Sequence, residues 1–110
     1  VLVASREVEE ALYTHPAVSE VAVIALPDPK WIEAVTAVVV LKRGATATAE
    51  DLIEHARQRL APFKVPKRVI FVDDLPRNAS GKILKRELRA RFAKEVQQSD
   101  SANTVARKEG

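Results

Sequence analysis

The dipeptide Gly81-Lys82 is the place in this sequence where residue types and spacing point most directly to chemistry. Glycine lets the main chain bend sharply and approach a ligand closely, because it has no side chain. The lysine that follows carries a mobile ammonium group, which binds phosphates and carboxylates as a point charge. The residues from Leu75 to Gly81 are rich in turn formers. From these residues alone a solvated lysine beside a turn is the favoured interpretation, and an anion site on a loop is the alternative.

Apolar side chains recur every four residues after this dipeptide, which predicts a helix that begins near Ser80 or Lys82. The recurring residues are Leu84, Leu88, Phe92 and Val96. The amino end of a helix favours bound anions, so this position would strengthen the site. The segment is not a P-loop, which has a glycine five residues before its Gly-Lys pair and Ser or Thr after it. Pro76 and Ile83 occupy those two positions here.

The rest of the sequence predicts the elements that position this loop. Two earlier helices are predicted, one that ends before Pro16 and one that Thr48 caps with Asp51 three residues on. Runs of branched apolar residues predict strands at 18–26, 35–41 and 69–72, with a turn at 27–29. The first strand is apolar on both faces, and the second is expected at the centre. The order α-β-β-α-β-α predicts an α+β fold of two layers, a small two- to three-stranded sheet flanked by helices.

Charge is distributed unevenly along the chain. Residues 1–56 carry 4 basic and 9 acidic side chains, whereas residues 57–94 carry 12 basic and 3 acidic, a net charge of +9. The second segment is therefore expected to attract anions such as nucleotides, CoA phosphates, nucleic acid or anionic lipid. A nucleic-acid-binding module is the alternative of another class. Residues 57–94 contain few aromatic side chains that could stack on bases, which disfavours this alternative. They are Phe63, Phe71 and Phe92, and the last two are expected in the core.

The length of 110 residues allows one modest domain, predicted at 1–96, followed by a polar tail at 97–110 that is expected to be disordered. The first residue is Val1 rather than Met, which indicates an excised or processed piece. The absence of cysteine excludes a disulfide scaffold and thiolate metal sites, and it fits a reducing cytoplasm. No metal site is predicted. The longest apolar run is too short to span a bilayer, which leaves peripheral contact with a membrane open.

The residues from Pro76 to Arg89 resemble the last core motif of the acyl-adenylate-forming superfamily. That family includes acyl-CoA synthetases, the adenylation domains of peptide synthetases and firefly luciferases. Further landmarks resemble the family in the same order, and the resemblance covers about Glu7 to Phe92. They are Glu7-Val8-Glu9, His15-Pro16-Ala17-Val18, Pro27-Asp28 with Trp31, Ala61-Pro62-Phe63-Lys64-Val65-Pro66 and Phe71-Val72-Asp73-Asp74-Leu75-Pro76.

The resemblance implies a reaction in two steps on a larger protein. A carboxylate first attacks ATP, with Mg2+ on the phosphates, and an acyl-adenylate and pyrophosphate form. A thiol, such as that of CoA, then attacks the adenylate and AMP leaves. The matching lysine of the family serves the first step, so Lys82 is the implied catalytic residue, and the small domain then swings it away. Gly81, Ser80, Lys85 and Arg86 are the implied contacts to ATP or CoA phosphates.

The resemblance is greatest to a fatty-acid–CoA ligase, and a peptide-synthetase adenylation module is the alternative within the family. No linker with a carrier-like serine motif follows Phe92, which favours CoA as the acceptor. The pockets for ATP and acid are expected on the enzyme's own large N-terminal domain, so the chain alone is not expected to catalyse the full reaction. Ile32 replaces a glycine that is common in the family after the residue matching Trp31, which is itself expected to anchor packing. No residue of the thiol channel is assigned.

Overall fold

A computed structural model describes residues 4–30 and 32–102, with side chains described for 4–30 and 33–94. Its order confirms the predicted α-β-β-α-β-α arrangement and the α+β class. The elements are α1 (Ser5–Tyr13), β1 (Val18–Asp28), β2 (Ile32–Leu41), α2 (Ala49–Arg57), a short 3-10 helix (Pro62–Lys64), β3 (Arg68–Phe71) and α3 (Lys85–Ala102). Trp31 lies outside the described residues. So do residues 103–110, which make up most of the predicted tail. Within the described part of the chain, no helix has the length and apolar character needed to cross a membrane.

The three strands form one mixed sheet with β2 at its centre, as predicted. β1 runs antiparallel to β2, with Val21 opposite Val39, and β3 runs parallel to β2, with Val38 opposite Ile70. The parallel pair needs a crossover connection, which α2 supplies. β1 continues through Pro27 rather than turning there, because proline is tolerated on an edge strand where its missing N–H leaves the ladder intact.

Both faces of the sheet are covered by helices, so the fold has three layers where two were predicted. α1 and α2 pack on one face and α3 packs on the other, since alternate residues of β1 point to opposite sides. One core cluster contains Val8, Leu12, Val21, Val23, Leu52 and Ala56, and the other contains Ala22, Ile24, Leu26, Val38, Leu88 and Phe92. Phe92 is buried as predicted. Phe71 is 39% exposed at the end of the edge strand β3, so its predicted place in the core is wrong.

The helix predicted to begin near Ser80 or Lys82 begins at Lys85 instead. Before that point the chain forms a turn and a short antiparallel pairing, since the Lys82 carbonyl accepts a hydrogen bond from the main-chain amide of Asn78 and Ile83 pairs with Arg77. Lys82 therefore lies three residues before α3 and not in its first turn. The helix continues to Ala102, past the position where the polar composition begins.

The outer edge of β1 is capped by side chains of α1. The Val21 amide donates to the Tyr13 hydroxyl oxygen at 3.3 Å, and the Val23 amide donates to Glu9 Oε2 at 2.8 Å. The same Glu9 oxygen accepts from Lys85 Nζ at 2.8 Å. One carboxylate therefore joins α1, β1 and the first residue of α3.

The predicted capping box of α2 is confirmed. Thr48 Oγ1 accepts from the Asp51 amide at 3.0 Å, and Asp51 Oδ2 accepts from the Thr48 amide at 2.9 Å. These two bonds satisfy main-chain donors that the first turn of a helix leaves open. They fix the start of the helix that places Leu52 and Ala56 in the core.

Thr48→Ala is expected to lower the free energy of unfolding by about 0.5–2 kcal/mol, because an N-cap acceptor is lost. Thr46→Ala is the matched control, since Thr46 is also an exposed threonine but lies two residues before the cap. Urea unfolding of the 110-residue chain followed by circular dichroism measures both changes. Equal destabilisation by the two substitutions would show that the cap contributes nothing particular.

The two histidines meet where the end of α1 approaches α2. Their ring centroids lie 4.9 Å apart, and His55 Nε2 is 2.7 Å from Thr14 Oγ1. The Thr14 hydroxyl donates its hydrogen to the Ala11 carbonyl at 2.6 Å, so His55 is the donor in this contact. Burial lowers the pKa of His55 below its ordinary value, and the charges of Arg59 and His15 lower it further, while a main-chain hydrogen bond to Ala11 opposes them.

The lowered pKa of His55 predicts a loss of stability in mild acid. The unfolded chain binds the proton more tightly than the folded chain, so the free energy of unfolding falls as the pH drops from about 7.5 through 6.5 and levels off below the folded pKa. Urea unfolding across this range should show the decline in the wild type. His55→Gln keeps a donor toward Thr14 but cannot titrate, so its profile should be flatter. Parallel profiles for both proteins would contradict the assignment.

Candidate functional site

The residues around Gly81-Lys82 form a tight hairpin-like loop. The Leu84 amide donates to the Pro76 carbonyl at 2.9 Å, and Arg77 pairs with Ile83 as an isolated antiparallel bridge. Gly81 has a φ of +87°, a conformation that residues with a side chain adopt only at a cost. The bend expected of this glycine is therefore present, and it places Lys82 at the start of the returning arm.

Asn78 organises the tip of this loop. Its side-chain oxygen Oδ1 accepts three hydrogen bonds of 3.0 Å, from the Ser80 amide, the Ser80 hydroxyl and the Lys82 amide. The Asn78 amide in turn donates to the Lys82 carbonyl at 2.9 Å. One asparagine thus holds the main chain of Lys82 on both sides. No role was predicted for Asn78 from the sequence, although asparagine in a turn-rich segment is the usual signal of such a contact.

The predicted site residues divide into two groups. Ser80, Gly81 and Lys82 lie together at the exposed tip of the loop, and the exposed Arg86 follows in the first turn of α3. Lys85 is directed differently, because its ammonium group forms an ion pair with Glu9. A phosphate at Lys85 would have to compete with that carboxylate.

The loop can offer a cation to an anion that another body holds. The main chain of Lys82 is fixed by Asn78, whereas its side chain is exposed and has four rotatable carbon–carbon bonds. A fixed base with an extended ammonium group suits charge stabilisation at a surface that meets a second domain. The geometry therefore presents the exposed Lys82 side chain to solvent from a fixed main chain.

A second exposed feature lies in the 3-10 helix. Phe63 is 69% exposed, and the Lys64 ammonium lies 5.6 Å from the centroid of its ring. Lys64 also pairs with Glu7 at 2.6 Å. The exposed Lys67 follows three residues later. No role was predicted for Phe63 from the sequence; the available signal was an aromatic residue between proline and lysine, outside any apolar periodicity.

A three-layered α+β domain that presents a Gly-Lys loop beside its last helix is the class of protein defined by this fold and site. Residues 7–82 match the family described as AMP-binding enzyme C-terminal domain. The chain belongs to that family. The match ends at Lys82, so it includes the whole segment that bends the loop and carries the lysine.

Relatives of known sequence or structure agree with this assignment. The chain is 55% identical over 83 residues to a long-chain-fatty-acid–CoA ligase of Bacillus subtilis, covering 76% of this chain and 15% of the relative. It is 44% identical to a fatty acyl CoA synthetase of Mycobacterium tuberculosis, with a TM-score of 0.75, covering 81% of this chain and 18% of that one. ATP-bound MatB of Rhodopseudomonas palustris is 44% identical, with a TM-score of 0.80 over 83% of this chain and 18% of its own. The chain spans less than a fifth of each relative's length.

Two glycines allow the role of the loop bend to be tested. Gly44 and Gly81 have φ values of +78° and +87°, and an added Cβ would meet no atom within 4 Å at either position. Alanine at each position should therefore lower the free energy of unfolding by a similar amount, about 1–2 kcal/mol, through backbone strain alone. Only Gly81→Ala should accelerate hydrogen exchange of the Ser80 and Lys82 amides. Acceleration in the Gly44→Ala chain as well would contradict a local role for Gly81.

Proposed function

We propose that this chain is the mobile C-terminal domain of an AMP-forming acid–CoA ligase and that Lys82 is its catalytic residue for adenylation. The observation that carries the proposal is the exposed Lys82 at the tip of a preformed loop, within the part of the chain that matches the family. The names of the B. subtilis and M. tuberculosis relatives support a fatty acid as the substrate class. The comparisons favour neither the peptide-synthetase nor the nucleic-acid alternative.

In the first half-reaction a carboxylate oxygen attacks the α-phosphorus of ATP and pyrophosphate leaves. Two anions have to approach each other, which raises the barrier unless a cation lies between them. The pockets for ATP and acid are proposed to lie on the large domain. Lys82 supplies the cation from the small domain. Docking of the small domain would also exclude water from the acyl-adenylate, which water would otherwise hydrolyse.

In the second half-reaction the thiol of CoA attacks the acyl carbon, and AMP leaves with the bonding electrons. No anion pair then needs a cation at the earlier position, so Lys82 can be withdrawn by rotation of the whole domain. The rigid loop described above suits such a movement, because the hydrogen bonds of Asn78 to Ser80 and Lys82 all lie within the domain.

ATP and the acid are proposed to bind mainly to the large domain, and this chain is proposed to contribute contacts to CoA and to phosphate. The ATP-bound relative supports ATP as the nucleotide. Mg2+ is proposed to lie on the ATP phosphates, as the family resemblance implies. The exposed ring of Phe63 offers an aromatic face for the nucleotide part of CoA, and Lys67 adds positive charge, whereas a phosphate at Lys64 would have to compete with Glu7. Arg86 remains a proposed phosphate contact.

Lys82→Ala in the complete ligase should reduce acid-dependent pyrophosphate exchange by about 100-fold or more, the loss expected when one preorganised charge donor is removed. Thioester formation from supplied acyl-adenylate and CoA should persist, because the lysine is not needed in that step. Separate assays of the two half-reactions measure the difference.

Lys42→Ala is the matched control, since Lys42 is exposed just after the end of β2 and outside the proposed site. It should leave both half-reactions unchanged. Unchanged pyrophosphate exchange in Lys82→Ala would exclude Lys82 as the adenylation lysine. An equal loss in both half-reactions would point to a folding defect instead of a missing charge.

A further inference from the structure

Arg77 connects the lysine loop, which we define as residues 76–84, to the sheet through both terminal nitrogens of its guanidinium group. Nη1 donates to the Gly81 carbonyl at 2.8 Å, and Nη2 donates to Glu20 Oε1 at 2.8 Å. Gly81 immediately precedes Lys82, and Glu20 belongs to β1. Because the guanidinium group is planar and rigid, the two contacts fix the loop tip relative to the strand.

The local structure of β1 fits this contact. The pairing register of β1 with β2 shifts between Val18 and Glu20, which marks a bulge or similar irregularity. Bulges change the direction of neighbouring side chains and are frequent next to functional sites. The irregularity therefore lies beside the glutamate that reaches Arg77.

The ion pair contributes little to stability, so position is the better account of it. The side chains of Arg77 and Glu20 are 38% and 33% exposed. Pairs this accessible to water contribute about 0–1 kcal/mol. Inside the loop, Asn78 already holds the Lys82 main chain, but those contacts do not attach the loop to the sheet. The Arg77–Glu20 pair makes that attachment, and the Lys85–Glu9 pair joins the start of α3 to α1.

We propose that Glu20 and Arg77 are positioning residues for adenylation: together they set where the Lys82 ammonium group lies relative to the docked large domain. The proposal rests on the proposed function of Lys82 and extends it to two residues that do not touch the substrate. Small displacements of a catalytic group reduce the rate steeply, because the reacting atoms have to be aligned. Loss of either residue should therefore lower the adenylation rate without removing the charge itself.

The test compares Glu20→Ala, Arg77→Ala and the double variant in the complete ligase, with each half-reaction assayed separately. Each single variant should reduce kcat for acid-dependent pyrophosphate exchange by about 10-fold or more, with thioester formation from acyl-adenylate changed less than about twofold. The double variant should lose no more than Arg77→Ala alone, because the two residues act through one contact. Arg77→Lys should recover only part of the rate, since one ammonium group cannot reach both acceptors in the same geometry.

Glu54→Ala and Arg57→Ala are the controls, because these residues form a comparable exposed ion pair at 2.6 Å on α2, away from the loop. Neither should alter either half-reaction. If Glu20→Ala unfolds the domain in a thermal scan, Glu20→Gln, which keeps the side-chain shape, decides the outcome. Wild-type rates in the Arg77 and Glu20 variants, or equal losses in both half-reactions, would overturn the positioning role while leaving Lys82 untouched. Absence of pyrophosphate exchange in the wild-type enzyme would instead overturn the proposed function.

Discussion

The two apolar faces of β1 have to be covered separately, and this requirement determines where the remaining elements can lie. Val21 and Val23 point to one side of the strand, and Ala22 and Ile24 point to the other. All four are 3% exposed or less, and burial of apolar surface is the main favourable contribution to folding. A strand of this kind needs a helical layer on each face. The sheet therefore separates α1 and α2, on one face, from α3 on the other.

The lysine loop inherits its place from that arrangement. The loop follows β3, which is the edge strand opposite β1, and leads into α3. α3 has to cross back over the sheet to cover Ala22 and Ile24 of β1. Glu9 reaches from α1 past the edge of β1 to Lys85, so the start of α3 is also tied to the opposite layer. The position of the loop that carries Lys82 therefore depends on the packing of the whole domain. The hydrogen bonds of the Lys82 main chain itself are local, to Asn78.

Local signals predicted much of this fold, and contacts between distant residues were not predictable. Thr48 and Asp51 lie three residues apart and identified the start of α2 correctly. The start of α3 was predicted too early, because the apolar spacing does not show that Asn78 holds the main chain of Lys82 in a non-helical loop. The Arg77–Glu20 pair joins residues 57 positions apart, which no spacing rule connects. The hypothesis that Lys82 is functional came from the resemblance, since a Gly-Lys pair beside a turn, taken alone, favours a solvated lysine.

The capped edge of β1 bears on how the domain behaves in concentrated solution. An open strand edge is a template for pairing with another chain, and it promotes aggregation. Here Tyr13 and Glu9 occupy the outward amides of Val21 and Val23, so a foreign strand finds those donors already engaged. Both caps come from α1, which means that this protection lasts only while α1 is docked. The first helix thus bears on solubility as well as on the core, and a variant that loosened it is expected to self-associate through this edge.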